Sequence, residues 1–154
     1  MPRHPALRRL DALAGDWVVT IHAGEHELAG ARTSAAWIED GAFLALRADA
    51  AFDPATAPPG WIEHSPFPTK TVIGLDDHTG TYTCAYADAR GVRRVYAMRL
   101  DDERWELEGR PGETFFQRFS ATFADGGDRI DGRWEHSPDG VAWELDFAVV
   151  YTRA

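Results

Sequence analysis

The chain has one cysteine, Cys84, which excludes an intramolecular disulfide and any CxxC metal pattern. A lone thiol fits a reducing compartment, so a cytoplasmic protein is expected. Basic charge is also in short supply: 16 Lys and Arg stand against 25 Asp and Glu, a formal net charge of −9. Phosphate contacts need a basic surface, so a nucleic-acid partner is not expected. No apolar run reaches membrane-spanning length, and no membrane partner is expected. No apolar segment of the signal-peptide kind follows Met1-Pro2-Arg3-His4-Pro5.

Helical periodicity is scarce as well. Leu7, Leu10 and Leu13 share a helical spacing within Pro5–Ala14, with Pro5 able to start a helix and Gly15 to end it. Beyond that point the helical period never persists. What replaces it is alternation in about ten short runs: Asp16–His22, Ala31–Ile38, Ala42–Asp49, Thr71–Leu75, Thr81–Asp88, Val92–Leu100, Arg104–Glu108, Thr114–Phe123, Arg129–His136 and Ala142–Thr152. DDHTG, DARG, DDE, PG, ADGGD and SPDG stand between them as turn signals. Aromatics make up 12% of the 154 residues, including six Trp and eight Phe, which suits a wide β-rich interior. The expectation is one domain over residues 1–154. Its fold class is all-β, an antiparallel up-and-down barrel with a short N-terminal helix.

Pairing the runs tests that reading. A register across ADGGD sets Phe123 opposite Ile130, Ala121 opposite Gly132, Phe119 opposite Trp134 and Gln117 opposite His136. Centring the last hairpin on SPDG sets Trp134 opposite Leu145 and Gly132 opposite Phe147. The long segment Ala50–Lys70, holding five of the nine prolines, reads as a lid or binding loop.

Gly15-Asp16-Trp17 after a short helix resembles the G-x-W opening of the calycins, the superfamily of lipocalins and fatty-acid-binding proteins. The resemblance implies that Trp17 lies at the closed end of a calycin-like barrel, under a basic residue of the last strand. Arg153 is that residue, expected opposite Trp17 with a cation–π contact. Over its whole length the chain is similar to an uncharacterised bacterial calycin-like family of unknown function. Gly74–Asp77, YADARGVRRVY, Phe116–Phe119 and WEHSPDGVAWELDFAVVY carry that likeness. HPALRRLDALAGDW is also similar to the opening of the haem-binding nitrobindins. Their proximal ligand is a His near the C-terminus, and no His follows His136 here. No cofactor is assigned.

With the helix at the closed end, the segments His22–Gly30, Ala50–Lys70, Ala87–Gly91, Gly109–Glu113 and Ser137–Val141 fall at the open end. His22, His26, His64 and His136 gather there, without the compact spacing of a metal site. A register that buries Tyr96 and Met98 sets Asp88 opposite Arg94, Tyr86 opposite Tyr96 and Cys84 opposite Met98. An inward Arg94 needs a partner, because an unpaired buried charge is costly. One reading is an internal Asp88–Arg94 salt bridge with two tyrosines packed over it. The other is that Arg94 holds a ligand carboxylate or enolate, with Tyr96 or Tyr86 adding a hydrogen bond. Gln117 and His136 form a second polar spot, while Trp61, Ile62 and Phe67 could close over an apolar ligand. Glu63 and His64 could offer an acid–base pair.

Two functions follow from these residues. The first is binding of a small apolar or aromatic, possibly carboxylate-bearing, molecule in the barrel. The second is an enzyme of isomerase, cyclase or decarboxylase type, working through His136, His64, Asp88 and Tyr96. Outward apolar residues such as Val18, Leu44 and Val150 could pair two barrels as a homodimer.

Overall fold

The computed structural model describes residues 2–109 and 116–154. The turn Pro111-Gly112, most of the Gly109–Glu113 connection and the expected start of a strand at Thr114 lie outside those residues. The described residues form a closed, ten-stranded antiparallel barrel. In chain order the strands are β1 (Gly15–Ala23), β2 (His26–Ile38), β3 (Phe43–Ala50), β4 (Thr69–Asp76), β5 (Thr81–Asp88), β6 (Arg93–Leu100), β7 (Arg104–Glu108), β8 (Phe116–Ala124), β9 (Arg129–Ser137) and β10 (Glu144–Arg153). Each pairs with its sequence neighbour, and β10 closes on β1. No edge is left unpaired, which removes the usual route to edge-to-edge aggregation. No helix among the described residues is long and apolar enough to cross a membrane.

The N-terminal helix is shorter than its periodicity predicts. α1 (Pro5–Arg9) is followed by a 3-10 turn, Leu10–Ala12, and Leu10 and Leu13 are buried beneath it. This segment plugs one end. Trp17 Nε1 donates to the Leu13 carbonyl at 2.9 Å, and Tyr82 Oη donates to the Ala6 carbonyl at 2.6 Å. Arg153 stands opposite Trp17 and lies 4.1 Å over its ring, as the sequence predicts. Its guanidinium also donates to the carbonyls of Ala14 (2.6 Å) and Ala12 (3.1 Å), serving acceptors that the end of a helical turn leaves unpaired.

The β8–β9 register is the expected one at all four pairs. Phe119 packs so closely over Gly132 that a Cβ there would meet its ring at 2.7 Å. Two other registers differ. Gly91, at φ +87°, closes β5 to β6 by a three-residue loop, Ala89–Gly91. Tyr86 therefore faces Arg94, Cys84 faces Tyr96, and Tyr82 faces Met98. Each pairing is two residues from the expected one, so the inward set is unchanged and the partners are not.

In β10 a bulge sits between Leu145 and Phe147, with Asp146 as the extra residue. Below it Trp134 faces Phe147 and Gly132 faces Val149; above it Leu145 faces Glu135. Leu145 is thereby turned outward, 54% exposed, and Trp143 lies under the Arg118 guanidinium at 4.0 Å. In β3 the expected parity is reversed: Leu44 is fully buried and Phe43 faces out, so Leu44 belongs to no outer surface.

Candidate functional site

The inward faces of the strands do not fill the barrel. They enclose a cavity of about 590 Å³ that opens at the end opposite the α1 plug. Its deep part is walled by Val19, Trp105, Phe119, Val149 and Tyr151. Rings continue upward from there: Trp105 to Phe119 (4.9 Å between centroids), Phe119 to Trp134 (5.1 Å), and Trp134 to Tyr96 (5.7 Å) and Phe147 (6.5 Å). This is an aromatic wall suited to flat, apolar molecules.

The segment after β3 forms the roof. It carries α2 (Pro59–Glu63), whose Trp61 packs edge-on against Phe147 (5.2 Å) and Phe52 (6.1 Å); Phe52 in turn meets Phe67 at 5.7 Å. Main-chain bonds tie it down at both ends, from Ala51 N to the Gly30 carbonyl and from Ala89 N to the Pro66 carbonyl. The first of these needs glycine. Gly30 has φ +99°, and a Cβ there would meet the Ala51 carbonyl oxygen at 2.6 Å. Trp61, His64, Pro66 and Phe67 line the cavity, while Ile62 and Glu63 are exposed and absent from its wall.

The rim is polar. Arg90, Arg94, Tyr86, Gln117 and Asp146 all border the cavity. Asp88 does not, and the reason is its short loop. Its carboxylate, fully shielded from solvent, accepts from Arg90 Nη2 at 2.6 Å and Tyr86 Oη at 2.9 Å, and from the backbone N–H groups of Arg90 and Val92. Burial alone would raise the Asp88 pKa, but the hydrogen bonds from Arg90 and Tyr86 outweigh it and hold the carboxyl below its usual range. Burial, then the bond to Asp88, pushes the Tyr86 hydroxyl well above its ordinary value. The expected Asp88–Arg94 pair is thus replaced by Asp88–Arg90.

Arg94 is half-buried on the cavity wall. One Nη donates to the Arg93 carbonyl at 2.8 Å, and among the described residues no carboxylate pairs with it. Tyr96 Oη donates to Gln117 Oε1 at 3.2 Å. His136 faces Gln117 across β8 and β9 and Glu144 across β9 and β10, but is not part of the cavity wall. Of the residues singled out in the sequence, the cavity brings together Arg94, Tyr96, Tyr86, Gln117, Trp61, Phe67 and His64. Asp88 and His136 stand outside it, so the expected acid–base set does not converge.

Three of the wall's polar groups were not legible. Arg90 hides in a motif that reads as a turn, Asp146 is carried inward only by the bulge, and Tyr151 reads as one more apolar strand position. Cys84 is fully buried, and burial pushes its thiol up to about 12, which makes it a packing residue rather than a nucleophile. Among the described residues no three His, Cys, Asp or Glu side chains come together as metal ligands.

No protein-family model matches the chain, and no curated protein matches it. Among solved structures it is similar to the crystal structure of Rv2717c from M. tuberculosis. The two share 15% identity and a TM-score of 0.60 over 99% of each chain. At that identity the likeness carries the barrel fold, end to end, and nothing of its contents.

Proposed function

We propose that this calycin-like barrel binds a small, mostly apolar or aromatic molecule bearing an anionic group, with Arg94 as the anion's anchor. The observation that carries the reading is the contrast between the two rim arginines. Arg90 is neutralised by a shielded carboxylate at 2.6 Å, whereas Arg94 borders the same cavity with no carboxylate of the described chain beside it. A cation at the mouth of an apolar cavity is favourable when its counter-charge arrives with the ligand. The aromatic wall and the Trp61 roof remove the rest of the ligand from water.

The test is displacement of anilinonaphthalene sulfonate by aromatic carboxylates and by their neutral methyl esters. Replacing Arg94 by Met should weaken the acids at least tenfold, as expected for loss of a charge-assisted hydrogen bond, and leave the esters unchanged. Equal affinity of the acids for both proteins would remove Arg94 as the anchor.

A further inference from the structure

The deep end of the cavity contains a hydrogen-bond donor, the Tyr151 hydroxyl, that no described residue pairs. Tyr151 faces Val19 on one side and Ile130 on the other, one inward step above Arg153. Its ring meets Trp17 at 6.4 Å and Trp105 at 6.3 Å, so its neighbours are apolar or aromatic. Tyr151 lies far from bulk solvent yet is only half-buried, because the surface it exposes faces the cavity. Among the described residues its hydroxyl has no hydrogen-bond partner. The adjacent Trp105 is 5% exposed; its Nε1 also has no partner among the described residues but is shielded from the cavity, which leaves Tyr151 as the donor a ligand can reach. Burial pushes the Tyr151 hydroxyl up to about 12, so it remains an O–H donor at any physiological pH.

A hydroxyl that a ligand seals from water without giving it a hydrogen-bond partner is rare and costly. The Tyr151 hydroxyl is open to the cavity, so a ligand that fills the deep end must offer it an acceptor. We infer that the ligand carries a neutral hydrogen-bond acceptor, a carbonyl or a ring nitrogen, at the end that enters first, and that Tyr151 binds it. A second carboxylate is disfavoured there, since no cation among the described residues lines the deep wall to pair with it. A plain hydrocarbon tail is also disfavoured, because it would seal the hydroxyl away unbonded. From Tyr151 to Phe147 the strand runs roughly 13 Å. The ligand class is therefore a compact oxo- or aza-aromatic acid with its acceptor opposite its anion.

This inference rests on the anion-binding reading for the ligand's orientation, and the experiment separates the two. Two naphthoates are compared, one bearing an acetyl group on the far ring and one bearing the isosteric isopropenyl group. The corresponding neutral naphthalenes form a second pair. The native protein should favour acetyl over isopropenyl by about tenfold, the worth of one hydrogen bond in a dry site. Tyr151→Phe should erase that preference by weakening only the acetyl compound, whereas Arg94→Met should weaken both naphthoates alike and leave the preference standing. Should Tyr151→Phe not fold, the acetyl carbonyl stretch in the native complex gives the answer. It should fall below its value in hexane. Equal binding of acetyl and isopropenyl compounds, or an unshifted carbonyl, overturns the inference. A preference confined to the neutral pair upholds it while removing the anion anchor.

Discussion

Asp88 is held by Arg90, 2.6 Å away on the same hairpin loop, and not by Arg94 across the strand pair. The consequence reaches beyond one salt bridge. The loop consumes its own charge, and Arg94, on the cavity wall, has no carboxylate partner among the described residues.

That arrangement predicts a pH dependence. The Asp88 pKa is depressed in the fold, so its contribution is complete above the unfolded value of ~3.9 and fades as pH falls through the lower folded value. Asp88→Asn should lose about 2–4 kcal/mol at neutral pH, since a shielded carboxylate with several donors is being replaced. Urea unfolding at neutral pH and near pH 3 should show the gap narrowing with acidification. A gap that is independent of pH would mean the carboxylate charge contributes nothing.

Arg153 closes the barrel from below through Trp17 and two carbonyls of the plug. Arg153→Met removes the cation and both hydrogen bonds while keeping most of the side-chain volume. We expect a loss of about 2–3 kcal/mol, or a melting temperature lower by roughly 5–10 °C, with ligand affinity unchanged. Calorimetry with and without ligand measures both.

Gly132 is required by close packing. A methyl group there would meet Phe119 at 2.7 Å and Val149 at 3.1 Å, so Phe119 would have to leave its packing against Trp105 and Trp134. Gly132→Ala should destabilise by about 1–3 kcal/mol in chemical denaturation. A neutral result would show that Phe119 shifts into the cavity instead, and ligand affinity would then fall.

Trp61 is the roof's contact with the barrel, edge-on to Phe147 at 5.2 Å. Because the segment is also tied by main-chain bonds at both ends, Trp61→Ala should leave the melting temperature within a few degrees. Ligand dissociation, followed by stopped-flow displacement, should accelerate about tenfold, as expected when roughly 1–2 kcal/mol of ring contact is lost from the bound state. An unchanged dissociation rate would mean ligands leave by another route.

Much of the fold could be read from period-two alternation and turn residues. Those signals are local, and they placed the strands and the inward faces of β8 and β9; Trp17 opposite Arg153 was expected from a family resemblance instead. Tyr86, Arg94 and Tyr96 line the cavity because face parity survives a register error of two, Gln117 because its register was the expected one, and Trp61 and His64 because they lie on the roof. Partners do not survive such an error. Asp88 was matched to Arg94 across a loop taken as two residues too long, and only the closure of the chain around Gly91 assigns it to Arg90.

Alternation along a strand therefore determined that this chain is an antiparallel barrel with an aromatic interior, since each side chain's face follows from its neighbours in sequence. The tertiary structure alone decided what meets inside. The one-residue bulge at Asp146 turns Leu145 and Trp143 outward, and the β5–β6 loop pairs Asp88 with Arg90. Closure of ten strands leaves the Tyr151 hydroxyl facing open space at the bottom of the cup. Each of these depends on which strands happen to lie across the barrel from one another, and that information is not local to any of them.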